Sequence, residues 1–373
     1  MKKFSLLLVF MMVCICSNAY DVEINGIYYD LIKGKYAKVN YDYNNRYKGD
    51  IIIPSTITYE NVNYTVICIA KDAFSYCKGL KSVTLPETLT TIEEWAFNSS
   101  TLKEIVIPNS VTTIENQAFN MCDSLESICL SDNLTKIEQS TFFYCKKLKS
   151  ISLPDKITEI GNRAFEGCKA LETVHLPANL LLLGQQVFRD CSSLEEIKLP
   201  ESLLTIGARA FWQCKLKTIV IPDNVVGVGV EAFKYSENLS KVYIGKNVLL
   251  VCDKAFSNCK NLSDVYCYTN SVPNISDDGK WDESMWDGVF EKSDIQYATL
   301  HVPNSLINQY KQTPYWKEFG SIIALTDDDI PPSGIKEITH EDEKRIIYDL
   351  QGRRVDIPQK GIYIVNGKKV LIK

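Results

Sequence analysis

The chain has 373 residues, 45% apolar, 23% charged and 10% aromatic, a globular balance that excludes disorder over the whole length. Its 41 basic and 46 acidic residues leave a net charge of −5, so there is no basic field to draw phosphates, and nucleic acid is not expected as a partner. Three histidines in the whole chain leave little for a histidine-based metal site or catalytic triad.

In chain order, residues 1–19 carry Lys2 and Lys3, an apolar run from Phe4 to Cys16, and the small-x-small ending Ser17-Asn18-Ala19. That pattern predicts a secretory signal peptide cleaved after Ala19. The run falls short of the roughly 20 residues a membrane span needs, and nothing else is as apolar, so no transmembrane helix is expected in the mature chain. A lipid anchor on Cys14 or Cys16 is the alternative, although Val13 and Ile15 stand where a bacterial lipoprotein signal places a small residue. Residues 20–66 follow with nine tyrosines and alternating segments such as Tyr36-Ala37-Lys38-Val39, broken at Asn44-Asn45 and Tyr47-Lys48-Gly49. They predict β-hairpins that cap whatever comes next.

What comes next is a repeat. Phenylalanine recurs at 74, 97, 119, 142, 165, 188, 211, 233 and 256, in steps of 22 or 23 residues, a period that signals a solenoid. A second column, Pro86, Pro108, Ser131, Pro154, Pro177, Pro200, Pro222 and Gly245, keeps the same spacing. In the unit beginning at Leu148, Ile151 and Leu153 alternate as a strand with one face inward. Pro154 then ends that strand, because proline cannot donate to a ladder. The Ile-x-x-x-Ala-Phe-x-x-Cys stretch has helical spacing but is too short to stand alone, and it predicts a single helical or 3₁₀ turn per coil. No unit can bury its own apolar residues. Stacking them makes a common core and a parallel sheet with one strand per coil, about 4.8 Å per step, in a rod about 45 to 50 Å long.

The phrase A-F-x-x-C-x-x-L-x-x-[IV]-x-[LI]-P, recurring over about residues 50–320, resembles the BspA-like leucine-rich repeat family of bacterial surface proteins, known also from treponemes. The resemblance implies a right-handed solenoid on a secreted or cell-surface protein that adheres to host extracellular proteins, host cells or other bacteria. Thr141 and Val187 depart from the Ala column, Ser100 and Ser236 from the Cys column, and Ser131 and Gly245 from the Pro column. All of these are small or compatible with a turn.

Thirteen cysteines in a secreted chain would ordinarily suggest a disulfide scaffold. Cys77, Cys122, Cys145, Cys168, Cys191, Cys214 and Cys259, however, each stand three residues after a repeat phenylalanine. Side chains in such a column are parallel and fit the disulfide torsion poorly, so buried free thiols are expected, with disulfides the alternative. No C-x-x-C is present to hold zinc.

Past the repeats, Thr299-Leu300-His301-Val302-Pro303 predicts a last strand and Tyr310 to Phe319, with Trp316, a short capping helix. The acidic insertion Pro273 to Gly288, with Trp281 and Trp286, is a contact surface or a plain loop. Residues 326–334, from Thr326 through Asp329 to Pro332 and Gly334, read as a linker. The domain plan is therefore signal peptide 1–19, β cap 20–66, solenoid with its C-terminal cap 67–325, linker 326–334 and a small β module 335–373. In that module Tyr348-Asp349-Leu350-Gln351-Gly352-Arg353 and Gly361-Ile362-Tyr363-Ile364-Val365-Asn366-Gly367 resemble the C-terminal sorting domains of type IX secretion in Bacteroidetes. That resemblance implies export across the outer membrane and removal of the tail there; a β appendage with no export role is the other reading.

No nucleophile elbow, Walker motif, dinucleotide loop or H-E-x-x-H zinc motif occurs, and His175, His301 and His340 are scattered. No enzyme activity and no cofactor is expected. Function is sought instead in the rows of strand residues that point away from the core. One row runs Ser82, Glu104, Ser127, Ser150, Thr173, Glu196, Thr218, Lys241 and Asp264, and the other Thr84, Val106, Cys129, Ser152, His175, Lys198, Val220, Tyr243 and Tyr266. The first half is bland. Glu196, Lys198, Lys241, Tyr243, Asp264 and Tyr266 combine charge with aromatic anchors, as protein interfaces and sugar-stacking platforms do. A solvated face chosen for strand propensity is the plainer reading. The expected function is binding of an extracellular protein or glycan, such as a host matrix protein, with a structural role in the cell envelope as the alternative.

Overall fold

The computed structural model describes residues 20–42, 46–275 and 288–331, and beyond them only the strand backbone at 347–348, 361–365 and 368–372. It is a β-solenoid of about 11 turns with parallel sheets and very little helix.

The coil from Leu148 shows how the repeat sequence produces it. Ser150–Ser152 is a strand whose Ile151 is buried while its neighbours face outward, and Pro154 follows where the ladder must stop. The chain then turns at Ile157 and forms a second strand, Glu159–Ile160. The single strand expected per coil is thus corrected to two. The second ladder runs Lys136–Ile137, Glu159–Ile160, Leu182–Leu183, Thr205–Ile206, Gly227–Val228 and Leu250–Val251, every pair parallel. On the first ladder Thr218–Ile221, Lys241–Ile244, Asp264–Cys267, Thr299–Val302 and Ser321–Ala324 make a continuous five-stranded parallel sheet.

The expected helical turn is also corrected. Arg163 and Gly167 have left-handed backbones, with φ of 57° and 73°, and the same pair of positions recurs in each coil. The N–H groups of Arg163, Phe165 and Gly167 donate to the carbonyls of Gln185, Val187 and Arg189 in the next coil at 2.8, 2.9 and 2.8 Å. Those of Ala164, Glu166 and Cys168 close tight turns on Gly161, Arg163 and Phe165. A helix would send every donor back along its own chain. Here the adjacent coil supplies acceptors for every second donor, which offsets the roughly 1–2 kcal/mol that a left-handed L-residue costs.

Inside, the phenylalanines stack from Phe74 to Phe256 with neighbouring ring centroids 5.0 to 5.7 Å apart, and all nine are fully buried. Burying each ring contributes roughly 1.5–3 kcal/mol. The column cysteines are free thiols, as expected, and the structure gives them a task. Each Sγ of Cys122, Cys145, Cys168, Cys191, Cys214 and Cys259 lies 3.1 to 3.3 Å from the carbonyl of the repeat phenylalanine one coil back. Ser236 makes the same bond to Phe211 through Oγ at 3.1 Å, which explains why serine is tolerated at that position. Burial pushes Cys77 up to about 11 and Cys168 to about 12, so these two stay protonated donors.

At the N-terminal end the expected hairpins are present, Val22–Ile24 with Ile27–Ile32 and Thr56–Tyr59 with Val62–Ile69. Tyr36–Val39 and Lys48–Ile52, however, pair parallel with Val62–Ile69 and Gly79–Thr84. The cap therefore already contains both ladders, and residue 66 lies inside a strand that leads into the first coil. At the other end Thr299–Val302 is the expected strand. The expected capping helix is not continuous: one α-turn, Ile307–Tyr310, is separated from a 3₁₀ turn, Trp316–Glu318, by Pro314 and a left-handed Tyr315. Trp316 and Tyr310 are fully buried edge to face, and Ser321–Ala324 adds a strand that sequence reading missed. In the tail Ile347–Tyr348, Gly361–Val365 and Lys368–Ile372 form an antiparallel sheet. The signal-like residues 1–19, Trp281 and Trp286 of the insertion, and the rest of the tail lie outside the described residues.

Candidate binding face

Registers on the first ladder place the outward rows side by side as the period requires. Lys241 is paired between Thr218 and Asp264, and Tyr243 between Val220 and Tyr266. The Tyr243 and Tyr266 rings stack with centroids 4.6 Å apart and planes within 6°. Glu196 and Lys198 are exposed two coils before Lys241 and Tyr243, past Thr218 and Val220, on an irregular stretch where the ladder is interrupted between Thr173–His175 and Thr218–Ile221. Lys241 is exposed and Asp264 half-buried. Four candidates, Lys241, Tyr243, Asp264 and Tyr266, thus share one patch, with Glu196 and Lys198 extending it along the rod. His175 is exposed next to Ser152, two coil steps from Cys129.

The expectation that both tyrosines are open to solvent is corrected: each is only 9% exposed. Two things cover them. The row continues through His301, whose imidazole stacks on Tyr266 at 4.2 Å. Beyond the last strand, the residues read as a linker fold back over the sheet. The Leu325 N–H donates to Val302 O at 2.8 Å, and Thr326 to Asp329 form a tight acidic turn. In that turn the Asp329 carboxylate accepts from Thr326 N at 2.8 Å and Thr326 Oγ1 at 3.0 Å, and the Asp329 N–H returns a bond to Thr326 O at 3.1 Å. The hydroxyl of Tyr268 donates to the Asp329 carbonyl. His301 Nε2 lies 3.2 Å from Asp264 Oδ1, and its Nδ1 stands 3.8 Å from Asp329 Oδ2 with no hydrogen-bond partner of its own.

Burial raises the Tyr243 and Tyr266 hydroxyls, with the carboxylates of Asp264 and Asp329 adding to it, and takes Tyr266 to about 12. Both phenols are therefore neutral donors. Chemically the patch offers flat rings, phenol donors, an imidazole and mixed charge, a set suited to recognition. Among the described residues no group of three or more histidine, cysteine or acidic side chains could hold a metal ion, and no helix is long and apolar enough to cross a membrane. A 360 Å³ opening at the C-terminal end, lined by Gly288, Glu291, Gln296 and Tyr315, contains none of the candidate residues.

Sequence reading missed His301, Tyr268 and Asp329 as members of this site. The period could have found the first, because Leu300-His301-Val302 repeats the pattern of Val265-Tyr266-Cys267 after a longer step.

The structure is similar to a leucine-rich repeat protein from Bacteroides ovatus at 21% identity, over 82% of this chain and 100% of that one, with a TM-score of 0.42. It is also similar to a leucine rich cell surface protein from Faecalibacterium prausnitzii, at 20% identity over 84% and 95% with a TM-score of 0.47. The pneumococcal vaccine antigen PcpA is similar at 20% identity over 82% and 98% with a TM-score of 0.37. A search of curated proteins gave no match. The profile of the BspA type leucine rich repeat region matches residues 53–172 and 158–279, more than half of the chain, and repeats of this kind suggest protein binding. On that match the chain belongs to the BspA-type leucine-rich repeat family.

Proposed function

We propose that the chain is a secreted, surface-associated binding protein without catalytic activity, and that its C-terminal first-ladder face recognises an extracellular protein or glycan, such as a host matrix protein. The observation that carries this reading is local enrichment. On a face that toward the N-terminal end is mostly small Ser, Thr and Cys residues, exposed Lys241 adjoins the stacked rings of Tyr243 and Tyr266 beside Asp264, with the exposed charges of Glu196 and Lys198 two coils further along. Aromatic anchors rimmed by charge are the usual make-up of an interface centre. The signal-like start supports export, and the tail resembling a type IX sorting domain would take the chain across an outer membrane. The test is binding of the mature chain, from residue 20, to an array of matrix proteins and glycans, beside a Glu196→Ala/Lys198→Ala/Lys241→Ala variant. A hit weakened at least about tenfold, or 1.4 kcal/mol, in the variant is expected. A hit that the variant keeps in full removes the site.

A structural role in envelope assembly has one observation in its favour. Among the described residues Lys48–Ile52 pairs on one side only, with Gly79–Thr84, and Ile52 on it is 72% exposed, the arrangement that invites pairing with another chain. Self-association in light scattering, together with no array hit at micromolar concentrations, would establish that role and overturn the first.

A further inference from the structure

The turn Thr326–Asp329 sits on the candidate face as a ligand would. It lies against an aromatic ladder on the solvent side of the sheet, in which Tyr243 and Tyr266 are nonetheless buried and His301 is half-buried. Its own bonds are mostly internal, from Thr326 to the Asp329 carboxylate and back, so it forms a compact acidic turn. To the face it presents two groups: the Asp329 carbonyl, taken by the Tyr268 hydroxyl, and the Asp329 carboxylate, turned toward the imidazole of His301. That imidazole already meets Asp264 through its other nitrogen, and its Nδ1 is buried without a hydrogen bond. A buried nitrogen left unbonded is costly. Because Nε2 faces the Asp264 carboxylate, a closer carboxylate or carbonyl gains a bond from Nδ1 when both ring nitrogens carry a proton.

We propose that the Leu325–Pro331 segment is a built-in occupant of the binding face, and that the partner which displaces it presents an acidic turn, an Asp-containing peptide segment whose carboxylate reaches His301 and whose carbonyl reaches Tyr268. This rests on the reading that the C-terminal face is the binding site, and it adds the chemistry of the partner. A tethered occupant acts at an effective concentration of the order of millimolar. An external segment therefore competes only by making better contacts or by engaging the exposed Lys241, Lys198 and Glu196 as well.

The test uses the full mature chain and a fluorescently labelled peptide of the sequence Leu325 to Gly334, read by anisotropy up to millimolar peptide. Three chains are compared: the wild type, a chain with 325–331 replaced by Gly and Ser at unchanged length, and the milder Asp329→Asn variant, each checked for native circular dichroism. The strap-replaced chain is expected to bind the peptide at least about tenfold more tightly than the wild type, with Asp329→Asn between them. A peptide carrying asparagine at the Asp329 position should lose that gain, as should Tyr268→Phe combined with His301→Ala in the strap-replaced chain. Equal binding by wild type and strap-replaced chain, or none by either, overturns the proposal. So does gain of glycan hits alone by the strap-replaced chain on the array. If the array hit depends on Glu196, Lys198 and Lys241 but is the same with and without the strap, the binding function stands and only this inference falls.

Discussion

Replacing one column cysteine separates two accounts of why the column exists. Cys168 is fully buried, and its Sγ lies 3.1 Å from the Phe142 carbonyl, an oxygen that also accepts the Cys145 N–H at 3.1 Å. In Cys168→Ala the weak S–H···O bond is lost, at the low end of the roughly 0.5–1.5 kcal/mol of a neutral bond. A sulfur-sized void in a tightly packed coil adds about 1–1.5 kcal/mol, for a total of about 2 kcal/mol. In Cys168→Ser the hydroxyl keeps the donation, as Ser236 does to Phe211 at 3.1 Å, and only a small packing loss remains, below about 1 kcal/mol. The expected order is Cys, then Ser, then Ala. Were the thiol mere apolar filler, a buried hydroxyl would be the worse substitute and the last two would exchange places. Urea unfolding followed by circular dichroism under reducing conditions, with the slope unchanged between variants, reads the order directly. Serine less stable than alanine would refute the donor role.

Two further outcomes follow from the same core. Because burial holds Cys77 near 11 and Cys168 near 12 while an unfolded thiol titrates near 9, the unfolded chain sheds protons above pH 9 that the folded chain keeps. Stability is therefore full below pH 9 and falls as pH rises toward 11 to 12, by about 1 kcal/mol per buried thiol per pH unit; a urea midpoint that stays level between pH 8 and pH 10 would contradict this. Phe165 stacks between Phe142 and Phe188 at 5.3 and 5.4 Å, and Phe165→Ala should cost about 3–5 kcal/mol. The loss interrupts the middle of a nearest-neighbour array, so amide exchange should rise most in the coils on either side of it and least at the two caps.

The stacked core was legible because its positions recur: Leu148, Ile151, Leu153, Phe165 and Cys168 sit at the same offsets in coil after coil. The turn side was not. Ile-x-x-x-Ala-Phe spacing suits a helix and a chain of tight turns equally, and what decides between them is whether the next coil takes the Phe165 N–H, a contact made by residue 187. Second-ladder strands such as Glu159–Ile160 are two residues long, too short for alternation to register. On the candidate face the period placed Tyr243 against Tyr266 correctly. Their cover was hidden because Thr326-Asp327-Asp328-Asp329 has the composition of a linker, while the hydroxyl that holds it belongs to Tyr268, 61 residues earlier.

The two ladders and the phenylalanine stack join each coil to the next through nearly the same set of bonds. Removing one whole period, for example from Phe142 up to but not including Phe165, would leave Phe119 facing a ring of the same kind and every donor facing a carbonyl. Removing half a period would leave neither. Gain and loss of material in such a chain is thus quantised, and each quantum moves the Tyr243–Tyr266–His301 patch by about 4.8 Å relative to the N-terminal cap without altering the patch itself. Reach and recognition are separately adjustable quantities in this protein: the number of coils sets one, and a few outward side chains with their strap set the other.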